Sequence, residues 1–265
     1  MKTLRTPQHI SLDSGKLTLS APRSWAELTH EQWRYVLTML TQRLSLEVKI
    51  LMLLRFCGIH VKGKRSDGLF RCLVKEGDKQ RKVDLTAWQF QQALHTFDYI
   101  DSYDEYTVRL DSVGELHAVD SLLHEVPFSA YLAMEKYYQG FLRNRNNTEL
   151  LEKLGQLLYV TSEGGYDYKR KFNEVERLHC FLWYSYVKKQ FARYFPNFFR
   201  PVSAALDKGT ELAILDQMNV QIRALTGGDV TKEDAVMKMD CWRALTELDA
   251  KAREAAEIKK MNKRK

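Results

Sequence analysis

The sequence predicts a mainly α-helical, multi-helix, bundle-like body with two small antiparallel β-hairpins near the N-terminus. Three observations support this prediction. Apolar residues recur at three- and four-residue steps, hydroxyl and Glu/Gln capping pairs precede several of these stretches, and strict alternation is confined to two short segments. We expect about eight to ten helices and a soft boundary near residue 115. This divides the chain into an N-terminal helical region with the hairpins, 1–115, and an all-helical region, 116–265.

The first hairpin is predicted at residues 10–19, where apolar residues alternate on both sides of a Gly-containing turn. Two capping boxes follow, Ser24 with Glu27 and Thr29 with Gln32. In this motif a short side chain accepts from a free backbone N–H, and a longer one reaches back to the cap. A helix should therefore begin near Thr29.

The next predicted elements are a buried helix, a basic hairpin and a capped helix. Residues 44–57 are apolar almost all round, which is typical of a buried helix. Residues 69–85 alternate apolar and basic side chains and predict the second hairpin. Thr86 with Gln89 then begins another helix. Residues 98–115 have no clean period and predict a loop or an irregular strand.

From residue 116 onward the pattern is helical, with breaks at Asn, Gly and Pro. No fixed-period repeat is present, so a solenoid is not expected. The predicted helices cover residues 116–126, 128–142, 149–158, 169–194, 201–225 and 240–258.

The composition indicates a water-soluble cytoplasmic protein. The chain has 265 residues, of which 45% are apolar, so it can bury a core without disulfides or a structural metal. Its N-terminus lacks the apolar stretch of a secretory signal, and no apolar run reaches the roughly 18 to 20 residues of a membrane span. We therefore expect no membrane contact. The cysteines are isolated from one another and are expected to be reduced and buried: Cys57, Cys72, Cys180 and Cys241.

One stretch has the skeleton of a phosphate-binding loop. Residues 58–64 read GxxxxGK, but Arg65 occupies the position of the hydroxyl that would hold magnesium. The loop should also open a helix, whereas Ser66 to Gly68 predict a turn. A basic hairpin loop is the better interpretation.

Metal and catalytic patterns are weak. His117, Asp120 and His124 could face one metal if they lie on a helix, but a polar helix edge is the commoner arrangement. The acidic stretch 98–105 lacks the alternate spacing and the glycine of a calcium loop. No nucleophile elbow, zinc-protease or dinucleotide motif occurs. The sequence therefore predicts a non-enzymatic protein without cofactor or metal.

Residues 166–200 combine twelve aromatic and eight basic side chains. Such a segment could stack on single-stranded bases and neutralise phosphates, although its helical spacing favours aromatic residues in a core. The basic C-terminus offers a similar choice between a solvated tail and a contact with an acidic partner. The nucleic-acid alternative for the whole protein uses these cations: Lys188, Lys189, Arg193, Lys259 and Lys260.

Three parts of the chain consist of helix edges and turns: residues 24–32, residues 126–142 with 157–159, and residues 222–232 with 242–245. These parts resemble uncharacterised proteins encoded in prophages and phage-like elements of gut Bacteroidetes-type bacteria, among tail genes. The resemblance implies a role in virion morphogenesis, like that of tail-assembly chaperones. The implied partners are tail proteins such as the tape-measure or tube protein. The implied location is the host cytosol or the virion.

The C-terminal helix, residues 240–265, is the predicted contact surface for such a partner. Trp242, Leu245 and Leu248 lie at steps of three on one face, and Trp often dominates when a helix docks in a groove. The alternative is intramolecular, because the same face could close onto the helix that ends at Leu225. The sequence predicts no role for the hairpin at residues 60–85 or for the acidic stretch 98–105.

Overall fold

The computed structural model describes residues 9–12, 17–76, 79–102, 105–199 and 211–262. This part of the chain is mainly α. The chain divides into two compact units, unit 1 at residues 1–108 and unit 2 at residues 109–265. The sequence pattern alone predicts the boundary near residue 115.

Unit 1 combines helices with two antiparallel sheets. β1 pairs with β2, as the predicted first hairpin requires, although its turn lies outside the described residues. The second sheet has the strand order β3-β4-β5. The elements, in chain order, are β1 (His9–Leu12), β2 (Leu17–Ser20), α1 (His30–Leu40), α2 (Ser45–Phe56), β3 (Ile59–Lys64), β4 (Phe70–Glu76), β5 (Lys79–Leu85) and α3 (Ala87–Leu94).

Capping explains where two of these helices begin. The Thr29–Gln32 box is present at α1 and the Thr86–Gln89 box at α3, each with both reciprocal hydrogen bonds, so these predictions are confirmed. The predicted box at Ser24 is wrong. Ser24 makes no side-chain cap, and only a short 3₁₀ turn follows it.

The predicted second hairpin is part of a larger sheet. β3 pairs with the edge of β4 that faces away from β5, where the hairpin prediction placed no strand. Gly58, with φ of +62°, turns the chain directly from α2 into β3, and a Cβ there would lie 3.1 Å from the Cβ of Lys75. Ile59 then faces the core and is buried. The sequence pattern missed this strand because most of its side chains are exposed.

Indole N–H groups anchor the core of unit 1. Trp25 is buried and donates from Nε1 to the Tyr99 carbonyl at 3.0 Å. Trp33 is equally buried and donates to the Tyr106 hydroxyl at 3.1 Å. Because a buried donor without a partner is costly, these bonds help to fix α1 against the irregular segment after α3.

Unit 2 is built mainly from helices and carries a third small antiparallel sheet, of strand order β6-β7-β8. This sheet corrects the prediction that the strands form only two hairpins near the N-terminus and that residues 116–265 are all helical. The elements are β6 (Ser112–Val113), β7 (Leu116–Ala118), α4 (Phe128–Arg143), α5 (Glu149–Leu158), β8 (Tyr159–Val160), α6 (Glu174–Tyr194), α7 (Glu211–Thr226), α8 (Glu233–Lys238) and α9 (Cys241–Asn262).

The predicted helix at residues 116–126 is wrong. β7 occupies its start, and the rest is a loop in which Leu123 and Glu125 have positive φ. Trp183 Nε1 donates to the Ser121 carbonyl at 2.9 Å, and Trp242 Nε1 donates to a neighbouring carbonyl. These remote tryptophans bind backbone groups that a helix would use itself, so tertiary contacts override the local pattern.

Helix starts in unit 2 follow their caps. α6 begins after Asn173, which forms a capping box with Glu176, and not at residue 169 as the pattern predicts. The predicted helix at residues 201–225 is observed from Glu211 onward, because residues 200–210 lie outside the described part of the chain.

Candidate functional site

An apolar groove in unit 1 is the strongest candidate site. It has a volume of about 360 Å³ and is lined almost entirely by apolar side chains of α2, α3 and the sheet β3-β4-β5. Such a groove is open to solvent on one side, and its lining suits apolar groups rather than ions. The lining residues are Ile50, Leu53, Leu54, Val61, Phe70, Ala87, Phe90, Gln91 and Leu94.

The groove exists because α2 is apolar on two sides. Val48 and Met52 are fully buried in the core, whereas Ile50 is 42% exposed at the groove. Leu46 lies one turn before Ile50 on the same face and is 60% exposed. The apolar surface therefore continues beyond the groove along the helix.

The groove has an aromatic wall and a basic edge. Phe70 and Phe90 meet edge to face, with ring centroids 5.5 Å apart. Lys64 Nζ lies 5.5 Å from the centroid of the Phe70 ring. Trp88, on the first turn of α3, is 63% exposed. An apolar centre with a polar, charged edge is typical of protein-binding surfaces.

Sequence reasoning missed this groove, although one signal pointed to it. The segment 44–57 is apolar on more sides than a single core contact requires. A helix that is apolar all round must be covered on every side or expose an apolar face. The side of α2 that carries Ile50 remains exposed.

The predicted partner anchors lie inside unit 2. Leu245 and Leu248 are buried, and Trp242 is half-buried. The Trp242 ring stacks on His124 with centroids 4.1 Å apart, and its Nε1 donates to the Leu122 carbonyl at 2.6 Å. These side chains are occupied by contacts within the same unit, and the contacts of Trp242 described here are to the loop that follows β7.

The cations of the predicted nucleic-acid surface fall into different environments. Lys188 is not on a wet face, because its Nζ lies 2.6 Å from the Glu135 carboxylate with only 19% of the side chain exposed. Arg193 is exposed on α6, and Lys259 and Lys260 are exposed at the end of α9, while Lys189 is intermediate. The predicted set therefore does not form one surface of free cations.

Five of the twelve aromatic residues of the same segment are buried, whereas Tyr168 and Tyr194 are exposed. Trp183 and Phe191 are among the buried ones, as their helical spacing predicts, and Tyr184 is buried as well. Glu135 contacts this layer from α4 and accepts a hydrogen bond from the Tyr184 hydroxyl at 3.3 Å. Burial and the nearby Glu135 raise the pKa of Tyr184 well above its usual value. These polar groups satisfy one another inside the helical layer.

The three residues considered as metal ligands, His117, Asp120 and His124, do not share a helix. His117 belongs to β7, and Asp120 accepts hydrogen bonds from the backbone N–H groups of Leu122 and His124. Asp120 therefore shapes the loop. Over the described ranges, no group of three or more His, Cys, Asp or Glu residues could hold a metal ion. The GxxxxGK stretch lies largely in β3 and opens no helix.

Two carboxylates of the acidic stretch have a structural partner. Lys49 Nζ, on α2, donates to both Asp98 and Asp101. The hydrogen bond from Lys49, with a further contact from His95, lowers the pKa of the Asp98 carboxyl. These contacts tie α2 to the 3₁₀ segment that follows α3, which was not predicted from the sequence.

Comparison of the chain with protein-family models, curated proteins and solved structures returns no match. No helix within the described ranges is both long and apolar enough to cross a membrane.

Proposed function

We propose that the chain is a non-enzymatic binding protein of phage or prophage morphogenesis, acting in the host cytoplasm or in the particle. Its groove in unit 1 holds an apolar helix face of a tail component, such as the tape-measure or tube protein. The sequence resemblance to prophage proteins supports the choice of partner. The observation that carries the binding mode is the open apolar groove beside Ile50 and Phe90.

The shape of the surface favours a helix over a small molecule. A small-molecule pocket encloses most of its ligand, whereas the apolar face of α2 continues past this groove to the exposed Leu46 side chain. An amphipathic helix presents anchors at steps of three and four, which matches a groove between two helices and a sheet. The Lys64 ammonium at the edge suits a partner helix with acidic flanking residues.

The experiment measures binding of the full-length protein to the purified tape-measure and tube proteins of the same prophage. Val61, which is 44% exposed, is replaced by Thr, and Ile50 is replaced by Gln. Each change places polar atoms in the groove, and we expect the double variant to bind at least tenfold more weakly, a loss of about 1.4 kcal/mol. Binding should persist in high salt, because apolar contacts dominate.

The matched control is Val220→Thr, on the exposed side of α7. It makes the same chemical change to an exposed valine in unit 2 and should bind like the unchanged protein. An equal loss of affinity in the double variant and in the control would contradict a binding site in the groove. Failure of the unchanged protein to bind either tail protein would contradict the proposed partners.

A further inference from the structure

A second surface of unit 1 lies on the outward side of the sheet β3-β4-β5. Side chains alternate between the two sides of a strand. On β4, Cys72 and Val74 are fully buried, whereas Arg71 and Lys75 are exposed. Arg71 and Lys75 therefore project from the side opposite to the groove and the core.

The neighbouring strands add basic side chains to this side. Residues directly opposite in an antiparallel pair share a side of the sheet. Lys82 of β5 and His60 of β3 both lie opposite Leu73 and are exposed. Lys62 falls in the bulge of β3 between Val61 and Gly63, next to this side. We name this surface the basic sheet face: His60, Lys62, Arg71, Lys75 and Lys82.

Most of the positive charge of the basic sheet face has no acidic partner among the residues that the structure describes. Within the described ranges, the side chains of Lys62, Arg71, Lys75 and Lys82 make no ion pair. Asp84, the acidic residue opposite Arg71, is held by Arg65, whose Nη1 lies 2.6 Å from its carboxylate. Four exposed cations on one sheet attract a polyanion strongly.

We propose that the basic sheet face binds the phosphate backbone of double-stranded DNA, independently of the groove. Arg71 and Lys75 are about 13 Å apart along β4, and neighbouring strands are about 4.8 Å apart. Four cations within this area can each contact a different phosphate of a duplex, which carries one negative charge per about 1.7 Å of its axis. Non-specific single-strand binding commonly uses stacked aromatic rings, and the described residues of this face carry none. The backbone of a duplex is therefore the better match.

The test titrates the full-length protein against a fluorescent 20-base-pair duplex over a range of salt concentrations. Four phosphate contacts give a slope of about −3.6 in log K against log salt, so affinity should fall about 100-fold between 50 and 200 mM. A single-stranded oligonucleotide of equal length should bind more weakly. Replacing Arg71, Lys75 or Lys82 singly by Gln should reduce the slope by about one.

The matched control is the double variant K259Q/K260Q, which removes the same charge type from the end of α9. The double variant K75Q/K82Q should lose much more affinity than this control, with an unchanged melting temperature. Equal losses would show that only net charge matters and would overturn the proposal. Absence of salt-sensitive duplex binding would also overturn it. Competition by poly-glutamate that is as strong as competition by unlabelled duplex would also overturn the proposal, because the face would then be a site for acidic protein.

Discussion

His179, on α6, is a buried residue whose protonation is controlled by its burial. It is 0% exposed, and its Nε2 lies 3.3 Å from the backbone N–H of Leu110 as a hydrogen-bond acceptor. Burial lowers its pKa to about 3, because a charged ring would lose its hydration. The native protein therefore keeps this ring neutral at pH values where an exposed histidine is charged.

We predict that this histidine makes stability fall on mild acidification. The unfolded residue binds a proton near pH 6.5 and the native residue only near pH 3, so the unfolded state binds more protons between these values. The contribution of His179 to the free energy of unfolding should fall by about 2 kcal/mol between pH 7 and pH 5. Urea unfolding at both pH values measures this.

The variant His179→Gln keeps an acceptor for the Leu110 N–H and removes the titrating ring. Its stability should depend less on pH than that of the unchanged protein. An identical pH dependence in the His179 variant and the unchanged protein would show that this residue is not the cause.

Glu125 shows backbone strain at a single exposed residue. Its φ is +63°, a conformation that costs about 1 to 2 kcal/mol for a residue with a Cβ. Its backbone N–H is nevertheless fixed by the Asp240 carboxylate at 2.6 Å. Asp240 directly precedes α9, so this contact fastens the start of that helix to the loop.

We predict that Glu125→Gly raises the free energy of unfolding by about 0.5 to 1 kcal/mol. Glycine adopts positive φ without a steric penalty, and the backbone bond to Asp240 remains, although glycine also gains entropy in the unfolded chain. Denaturant unfolding measures the change. The control Glu163→Gly, at an exposed loop position without positive φ, should destabilise slightly. Destabilisation by both variants to the same extent would argue against strain at Glu125.

Secondary-structure elements were predictable where local signals decide and not where remote contacts do. The boxes at Thr29 and Thr86 depend only on neighbouring residues, so the starts of α1 and α3 could be predicted. The loop after β7 depends on the indole of Trp183, which lies far away in the sequence. β3 forms because it pairs with β4, although most of its own side chains are exposed. The groove and the basic sheet face arise from these pairings, which no local pattern encodes.

Helix α9 is predicted to be part of the core of unit 2. Leu245 is fully buried, so Leu245→Ala should lower the free energy of unfolding by about 2 to 5 kcal/mol. Ile258→Ala, on the same helix at a position that is 59% exposed, should change it by less than about 0.5 kcal/mol. Thermal and urea unfolding compare the two variants. An unchanged melting temperature for Leu245→Ala would instead indicate a free interaction arm.

At the scale of the whole molecule, unit 1 combines two surfaces with different physical properties. The groove offers apolar contact area, whose binding free energy changes little with salt. The basic sheet face offers charge, whose contribution weakens steeply with salt. Substitutions in one surface should therefore leave the other unaffected. A protein of this kind could hold a tail component through one side of the sheet and DNA through the other.

Hydrogen–deuterium exchange of the full-length protein, with and without saturating tape-measure or tube protein, distinguishes binding in the groove from binding through α9. We predict slower exchange in α2, β3 and α3, because the bound helix covers the groove and suppresses local opening. Exchange in α6 should not change. Protection confined to α9, at residues 241–262, would contradict the account and return the contact surface to the C-terminal helix.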